Sequence, residues 1–309
     1  MSVKPDQMRL ARGGLAAQFS AAGARLTALT IAGVDVVMGA ARDFGRADIT
    51  AGAICGRIAG RIADARFPLA GRAVALLANT PPDQLHGGPD GFCHRTWDAA
   101  AVDEGLRFTL RSPDGDQGYP GEVTATATYG LTEDRLTLDL TATTTAPTVI
   151  NLTNHGYWNL AGGGPVLDHE FMIEADQMLP LTAAKIPTGE IADVAGTRFD
   201  FRTPRPIGAA YDAGFVLRGK RGEMKRACRL RDPASGRGME VWCTEALLQI
   251  YTADHWGPAM PGKAGPLMAH QGLALEAQNF PDAPNHPAFP SARLDPGATY
   301  HHRIEWRFR

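Results

Sequence analysis

Two stretches of the sequence each set one residue of acid–base type among amides, aromatics and apolar neighbours. They are Asn151-Leu152-Thr153-Asn154-His155-Gly156-Tyr157-Trp158-Asn159 and Leu273-Ala274-Leu275-Glu276-Ala277-Gln278-Asn279-Phe280-Pro281. A histidine and a carboxyl that meet in one pocket can move two protons in opposite directions, which is general acid–base chemistry. Asn151, Asn154 and Asn159 bring amide donors and acceptors, while Tyr157 and Trp158 bring flat apolar faces. Such a set suits a sugar ring, with its hydroxyl edges and C–H faces. Taken alone, His155 reads as a hydrogen-bonded structural histidine before it reads as a catalytic one.

Two further segments carry polar groups in unusual settings. His86 lies in Leu85-His86-Gly87-Gly88-Pro89-Asp90-Gly91, a glycine-rich loop whose backbone can approach a ligand closely. Upstream, Arg57 and Arg61 stand four apart among small and apolar residues. An arginine so placed must find a carboxylate or a ligand oxygen, and one of the two could simply bridge loops. No metal is expected, because there is no HExxH, no cysteine pair and no EF-hand spacing. No cofactor is expected either, since no glycine-rich phosphate loop joins a strand to a helix.

The elements that must position these groups read as strands. Leu106–Arg111, Glu122–Tyr129 and Leu136–Thr143 alternate with period two, with Val123, Ala125, Ala127 and Tyr129 on one face. Turn formers separate them throughout, with 35 Gly and 22 Pro in the chain, which leaves room for little helix. The expected fold is all-β, a large antiparallel β-sandwich forming one domain over residues 1–309. His301 and His302 point to opposite faces of the final strand and so cannot share a ligand. The basic run over residues 217–231 reads as the solvated rim of a hairpin.

A net charge of -2 gives no sign of a general polyanion-binding surface, so nucleic acid is not the expected partner, although a local basic patch is still compatible with it. Residues 1–14 lack the apolar run of a signal peptide, and no later stretch approaches the ~18 apolar residues of a transmembrane helix. Cys55, Cys93, Cys228 and Cys243 form no CxxC pair and read as free, partly buried thiols of a cytoplasmic protein.

Taken in order, GAICGRIAGRI (52–62), LHGGPDGF (85–92), SPDGDQGYPG (112–121), NLTNHGYWNLAG (151–162), IPTGEI (186–191), AGTRFDF (195–201), LQIYT (248–252), LEAQNFPDAPNHPAFP (275–290) and LDPGATYHH (294–302) resemble the successive motifs of the aldose 1-epimerase (galactose mutarotase) family. The resemblance runs from about residue 50 to the last strand. It implies a β-sandwich enzyme of the galactose mutarotase type that exchanges the anomers of a free aldose without a cofactor. Matched motif by motif, it makes Glu276 the general base and His155 the general acid. It makes Arg61, His86, Asp212 and Gln249 substrate-binding positions.

Two departures accompany the match. Gly60 stands where the family usually has Asn, and Ala213-Gly214 stands where it has His-Asn after the matched aspartate. Each removes side-chain hydrogen bonding from near the sugar or its supports, which bears on the preferred sugar rather than on the acid–base pair. The competing expectations are a hexose-phosphate 1-epimerase, a glycoside-processing enzyme on the same fold, and a non-catalytic sugar-binding protein. The expected partner is a small free aldose, with no membrane and no nucleic acid, for a monomer or homodimer.

Overall fold

The computed structural model describes residues 8–39, 50–103 and 105–309. Residues 1–7, the start of the stretch read for a leader peptide, lie outside the described residues. The period-two segments form strands of a nine-stranded antiparallel sheet. Its spatial order is Asp98–Val102, Gly105–Ser112, Val123–Leu131, Arg135–Thr144, Tyr300–Phe308, Gly238–Cys243, Lys225–Arg231, Glu170–Ile173 and Arg205–Pro206. The alternation does what it predicts: Val123, Ala125, Ala127 and Tyr129 are all fully buried on one face.

A second, seven-stranded antiparallel sheet holds the strands that matter to the site. In chain order these are β1 (Tyr157–Trp158), β2 (Asp212–Leu217), β3 (Leu247–Tyr251) and β4 (Leu273–Gln278). The main core lies between the two sheets, where Phe108, Tyr129 and Leu138 of the first meet Phe215, Ile250 and Leu275 of the second. Each such side chain, fully buried, is worth roughly 1.5–3 kcal/mol. Among the described residues helix is confined to short 3-10 turns, such as Phe92–His94 and Ala283–Asn285. No helix there is long and apolar enough to cross a membrane.

The outer face of the seven-stranded sheet is also covered, and this is what makes a pocket. One end of that face packs under a cluster that includes Ile58, Ile62, Phe67, Leu247 and Phe280. The other packs under Tyr157, Ala253, Trp256, Leu267 and Ala274. Between these caps the outward side chains of β3 and β4 are polar: Gln249 lies directly opposite Glu276.

Two expectations need correction. The basic run is not a hairpin rim. Leu217 ends β2 in one sheet and Lys225 begins a strand of the other, so the segment between them crosses the sandwich. Its arginines are tied down on the way, Arg218 to Asp176 and Glu174, and Arg221 to Glu245. The four cysteines are free but fully rather than partly buried. His301 and His302 do face opposite ways: His301 is exposed beside Asp139, and His302 is fully buried.

Candidate active site

Glu276 sits in the middle of β4, a strand buried along its whole length because both its faces are covered. His155 lies just before β1, in a stretch that is extended but has almost no ladder with β4. Side chains bridge the gap instead. Asn151, Thr153 and His155 alternate onto the side facing β4. The Asn151 amide donates to Asn279 O (3.2 Å) and accepts from Asn279 N (2.8 Å), and Thr153 Oγ1 donates to Ala277 O (2.8 Å). His302 Nε2 reaches the same Ala277 carbonyl at 3.1 Å. The third residue of the series then arrives opposite the carboxyl, with His155 Nε2 at 3.4 Å from Glu276 Oε1.

The pair opens into a cavity of about 410 Å³, a size suited to a small ligand. Arg61, His86, Asp212 and Gln249 all line it, so the structure brings together all six residues singled out from the sequence. Gln249 Nε2 donates to Asp212 Oδ1 at 2.7 Å. His86 is clamped by Gly60: the His86 N–H donates to Gly60 O (2.9 Å), and the Gly60 N–H donates to His86 Nδ1 (3.2 Å). With Nδ1 accepting, the proton of a neutral His86 is assigned to Nε2, which makes the ring a hydrogen-bond donor toward the cavity. Ligand atoms of His86, His155 and Glu276 lie within 4.8 Å of one another, close enough to suggest a metal. The assigned tautomer disfavours it, because a ring nitrogen that carries a proton has no lone pair to give.

Electrostatics sharpen the picture. Burial, then the negative charge of Asp212, pushes the Glu276 carboxyl up to about 8 despite the opposing charge of Arg61. Burial pushes His155 down to about 4, with the charges of His255 and Arg25 adding to it. His86 falls well below the usual imidazole range through burial and the nearby charges of His155 and Arg61. The sequence leaves the charge state of this pair open, because a nearby carboxylate favours imidazolium while burial opposes it. In the pocket burial wins, and the single proton of the pair rests on Glu276.

Several polar atoms here are buried without a hydrogen-bond partner among the described residues: His155 Nδ1, Glu276 Oε2, and both ends of the Gln278 amide. Buried polar atoms are normally paired, so such a cluster in a cavity points to a ligand that completes it. A larger groove of about 730 Å³, between Arg9–Arg12 and the edge of the nine-stranded sheet, lacks this signature. Its charged groups pair with one another, as Arg135 does with Asp134 and Glu305.

Not every residue read as sugar-facing is so. Trp158 is fully buried in the main core against Trp306, with ring centroids 5.5 Å apart. Tyr157, its neighbour in β1, turns to the cavity, as strand alternation requires. Asn151, Asn154 and Asn159 do not line the cavity. Asn154 donates to Gly52 O (2.7 Å), and Asn159 to Gly164 O and Gln271 O (2.8 Å each). These amides hold chain segments together. Of the two arginines, Arg57 is the loop bridge, and Arg61 enters the cavity.

The departures from the family pattern separate in the same way. Ala213 faces the main core and cannot touch a ligand. Gly214 does matter: a Cβ there would lie 3.0 Å from Gln249 Oε1 and would disturb the side chain that holds Asp212. Gly60 has φ +80, and a Cβ on it would come within 2.9 Å of the Pro281 Cβ. Residues that sequence reasoning missed also line the cavity, chiefly Lys185, Tyr251, His255 and Gln278. Gln278 and Tyr251 were within reach of the alternation, two positions beyond Glu276 and Gln249; Lys185 and His255 carried no local signal.

A β-sandwich whose sheet face buries a one-proton His–Glu pair among donors for hydroxyl groups defines a small-molecule acid–base site. The chain belongs to the aldose 1-epimerase family, whose profile matches residues 6–307. It is 41% identical over 268 residues to a galactose mutarotase of Mus musculus, covering 83% of this chain and 78% of that protein. It is 37% identical over 274 residues to an aldose 1-epimerase of Escherichia coli (strain K12), covering 83% and 79%. Among solved structures it superposes on an aldose epimerase homologue from C. elegans with a TM-score of 0.91, at 28% identity and covering 98% of each chain. A galactose 1-epimerase from Lactobacillus acidophilus gives a TM-score of 0.85 at 26% identity, covering 96% of this chain and 92% of that one.

Proposed function

We propose that this protein interconverts the α and β anomers of a free aldose, with His155 and Glu276 as the acid–base pair. The observation that carries the reading is the 3.4 Å approach of these two groups inside a cavity where His155 Nδ1, Glu276 Oε2 and the Gln278 amide lack partners among the described residues. Anomer exchange asks for what such a pair supplies. The base takes the proton of the C1 hydroxyl, the bond from C1 to the ring oxygen breaks, and the acid gives that oxygen a proton. Rotation about C1–C2 turns the other face of the aldehyde toward the freed hydroxyl, and the reverse transfers close the ring. No electrons are gained or lost, so the reaction needs no redox group. Passage of the resting proton from Glu276 to His155, on sugar binding, would arm the carboxylate as base and the imidazolium as acid. Arg61, His86, Asp212 and Gln249 hold the hydroxyl groups.

The test is polarimetric: freshly dissolved α-D-galactose, α-D-glucose, D-xylose and L-arabinose, with and without protein. Acceleration of at least one is expected, and spontaneous rates throughout would overturn the reading. Galactose stands first because several relatives are galactose mutarotases.

The pH profile of kcat/KM follows from the pair's protonation. One proton is held between about pH 4, where His155 gains a second, and about pH 8, where Glu276 gives up the last. The profile should be a plateau that falls on both sides. Asp212→Asn should move the alkaline limb to lower pH, because Asp212's charge helps raise Glu276. An unmoved limb would show that the limb does not report Glu276.

A further inference from the structure

The wall of the cavity remote from His155 carries more charge than a neutral sugar calls for. Lys185 lines it and brings its Nζ to 3.5 Å from Asp212 Oδ2. Its backbone is fixed by a tight turn in which the Thr182 N–H donates to Ile186 O (2.8 Å), the Lys185 N–H donates to Thr182 O (3.0 Å), and Leu181 bridges to Pro187. Lys185 itself has φ +64, a left-handed conformation that glycine or asparagine adopts more readily. The turn therefore presents a long cation where a small residue would be easier.

Arg61 supplies a second cation in the same cavity, and its guanidinium has no hydrogen-bond or ion-pair partner among the described residues. Against these two stands the carboxylate of Asp212, already engaged by Gln249 at 2.7 Å. Glu276, resting protonated, adds no negative charge. From Glu276 the side chains run outward in a row: Gln249 opposite it on β3, Asp212 on β2, then Lys185 on the turn. With neighbouring strands about 5 Å apart, that row is on the order of 10 Å long. A sugar held with C1 at Glu276 and its ring along this row would bring the substituent on the carbon remote from C1 toward Lys185.

We propose that Lys185, steadied by Asp212 in a cavity to which Arg61 adds a second positive charge, forms a subsite for an anionic substituent, and that the enzyme accepts aldoses bearing a remote carboxylate, the hexuronic acids. This rests on the aldose-epimerase reading of the same pocket. A carboxylate is favoured over a phosphate because Lys185 shares its single charge with Asp212. Among the described residues the wall also has no α-helix N-terminus of the kind that cradles a phosphate dianion.

The experiment compares mutarotation of D-galacturonate, D-galactose and D-galactose 6-phosphate by the unaltered protein and by Lys185→Met, Lys185→Glu and Lys185→Arg. For the unaltered protein, kcat/KM on galacturonate should equal or exceed that on galactose and should weaken with added salt. Lys185→Met should cut the galacturonate-to-galactose ratio at least about tenfold, Lys185→Glu should cut it further, and Lys185→Arg should largely keep it. Equal losses on both sugars would overturn the proposal and leave Lys185 as a clamp on Asp212. Preference for the 6-phosphate would overturn the carboxylate assignment. If no sugar is accelerated, it is the epimerase reading that has failed. Calorimetry then still decides the subsite: tighter binding of galacturonate than of galactose supports it, and equal binding overturns it.

Discussion

Glu276→Gln should abolish nearly all anomer exchange while folding as well as the unaltered protein, and better at alkaline pH. A positioned acid or base is worth about 100-fold to 10,000-fold in rate. The glutamine amide keeps the shape of the carboxyl but cannot take a proton from a C1 hydroxyl or pass one to His155. A polarimetric rate near that of the parent would sink the assignment. The stability half follows from linkage. An unfolded Glu276 gives up its proton near pH 4.5 and the folded one near 8, so between these values the folded state holds the extra proton and loses stability as pH rises. His155 runs the other way: between about pH 4 and 6.5 the unfolded imidazole binds a proton that the buried ring refuses, and stability rises with pH across that window. Above pH 6.5 only the Glu276 loss remains. The glutamine variant lacks it and should gain on the order of a few kcal/mol at pH 9. Denaturation midpoints at pH 6 and pH 9 measure the gain.

That a carboxyl should weaken the fold it sits in explains why the surrounding scaffold is so heavily tied. Ala277 O accepts from both Thr153 and His302, and Asn279 is paired at N–H and C=O by Asn151. These bonds fall on the residues immediately after Glu276. They fix the strand against the repulsion that ionisation brings, and the same side chains set the distance to His155.

The sequence carried the strands and the reacting pair for different reasons. Strand alternation is local, so Val123 to Tyr129 declared its buried face without help from the rest of the chain. His155 and Glu276 were legible through the motifs around them. Of the aromatic and amide residues beside His155, Tyr157 lines the cavity while Trp158, Asn151, Asn154 and Asn159 do not, a division hidden from the sequence because composition carries no direction. Trp158 differs from Tyr157 by one position, which is the difference between core and cavity. Asn151 needed its neighbour Asn279, 128 residues away in sequence, before its role as a tie could be seen. Lys185 sits in a turn, where no periodicity says where a side chain is aimed. The crossing of residues 218–224 between sheets was invisible because a hairpin and a sheet change share the same turn chemistry.

Arg57 and Arg61 offer the sharpest contrast, since the sequence alone could not tell which was structural. Arg57→Met should cost several kcal/mol of stability, at roughly 1–3 kcal/mol for each buried acceptor that loses its donor. The Arg57 side chain is 2% exposed and donates to Ser112 Oγ (2.8 and 3.0 Å), Ser112 O (3.1 Å), Pro113 O (2.8 Å), Pro120 O (3.0 Å) and Thr148 Oγ1 (3.4 Å). Methionine fills much of the volume but leaves those carbonyls without donors, each a substantial penalty when buried. The loop so held also carries Tyr119, whose hydroxyl bonds Gln84 two residues before His86, so activity should fall together with the denaturation midpoint. Arg61→Met should do the reverse. With no side-chain hydrogen bond to lose among the described residues, the variant should stay within about 0.5 kcal/mol of the parent in stability, while KM for the sugar rises. Equal stability losses in the two variants would contradict the division of labour, because only Arg57 is bound into the fold.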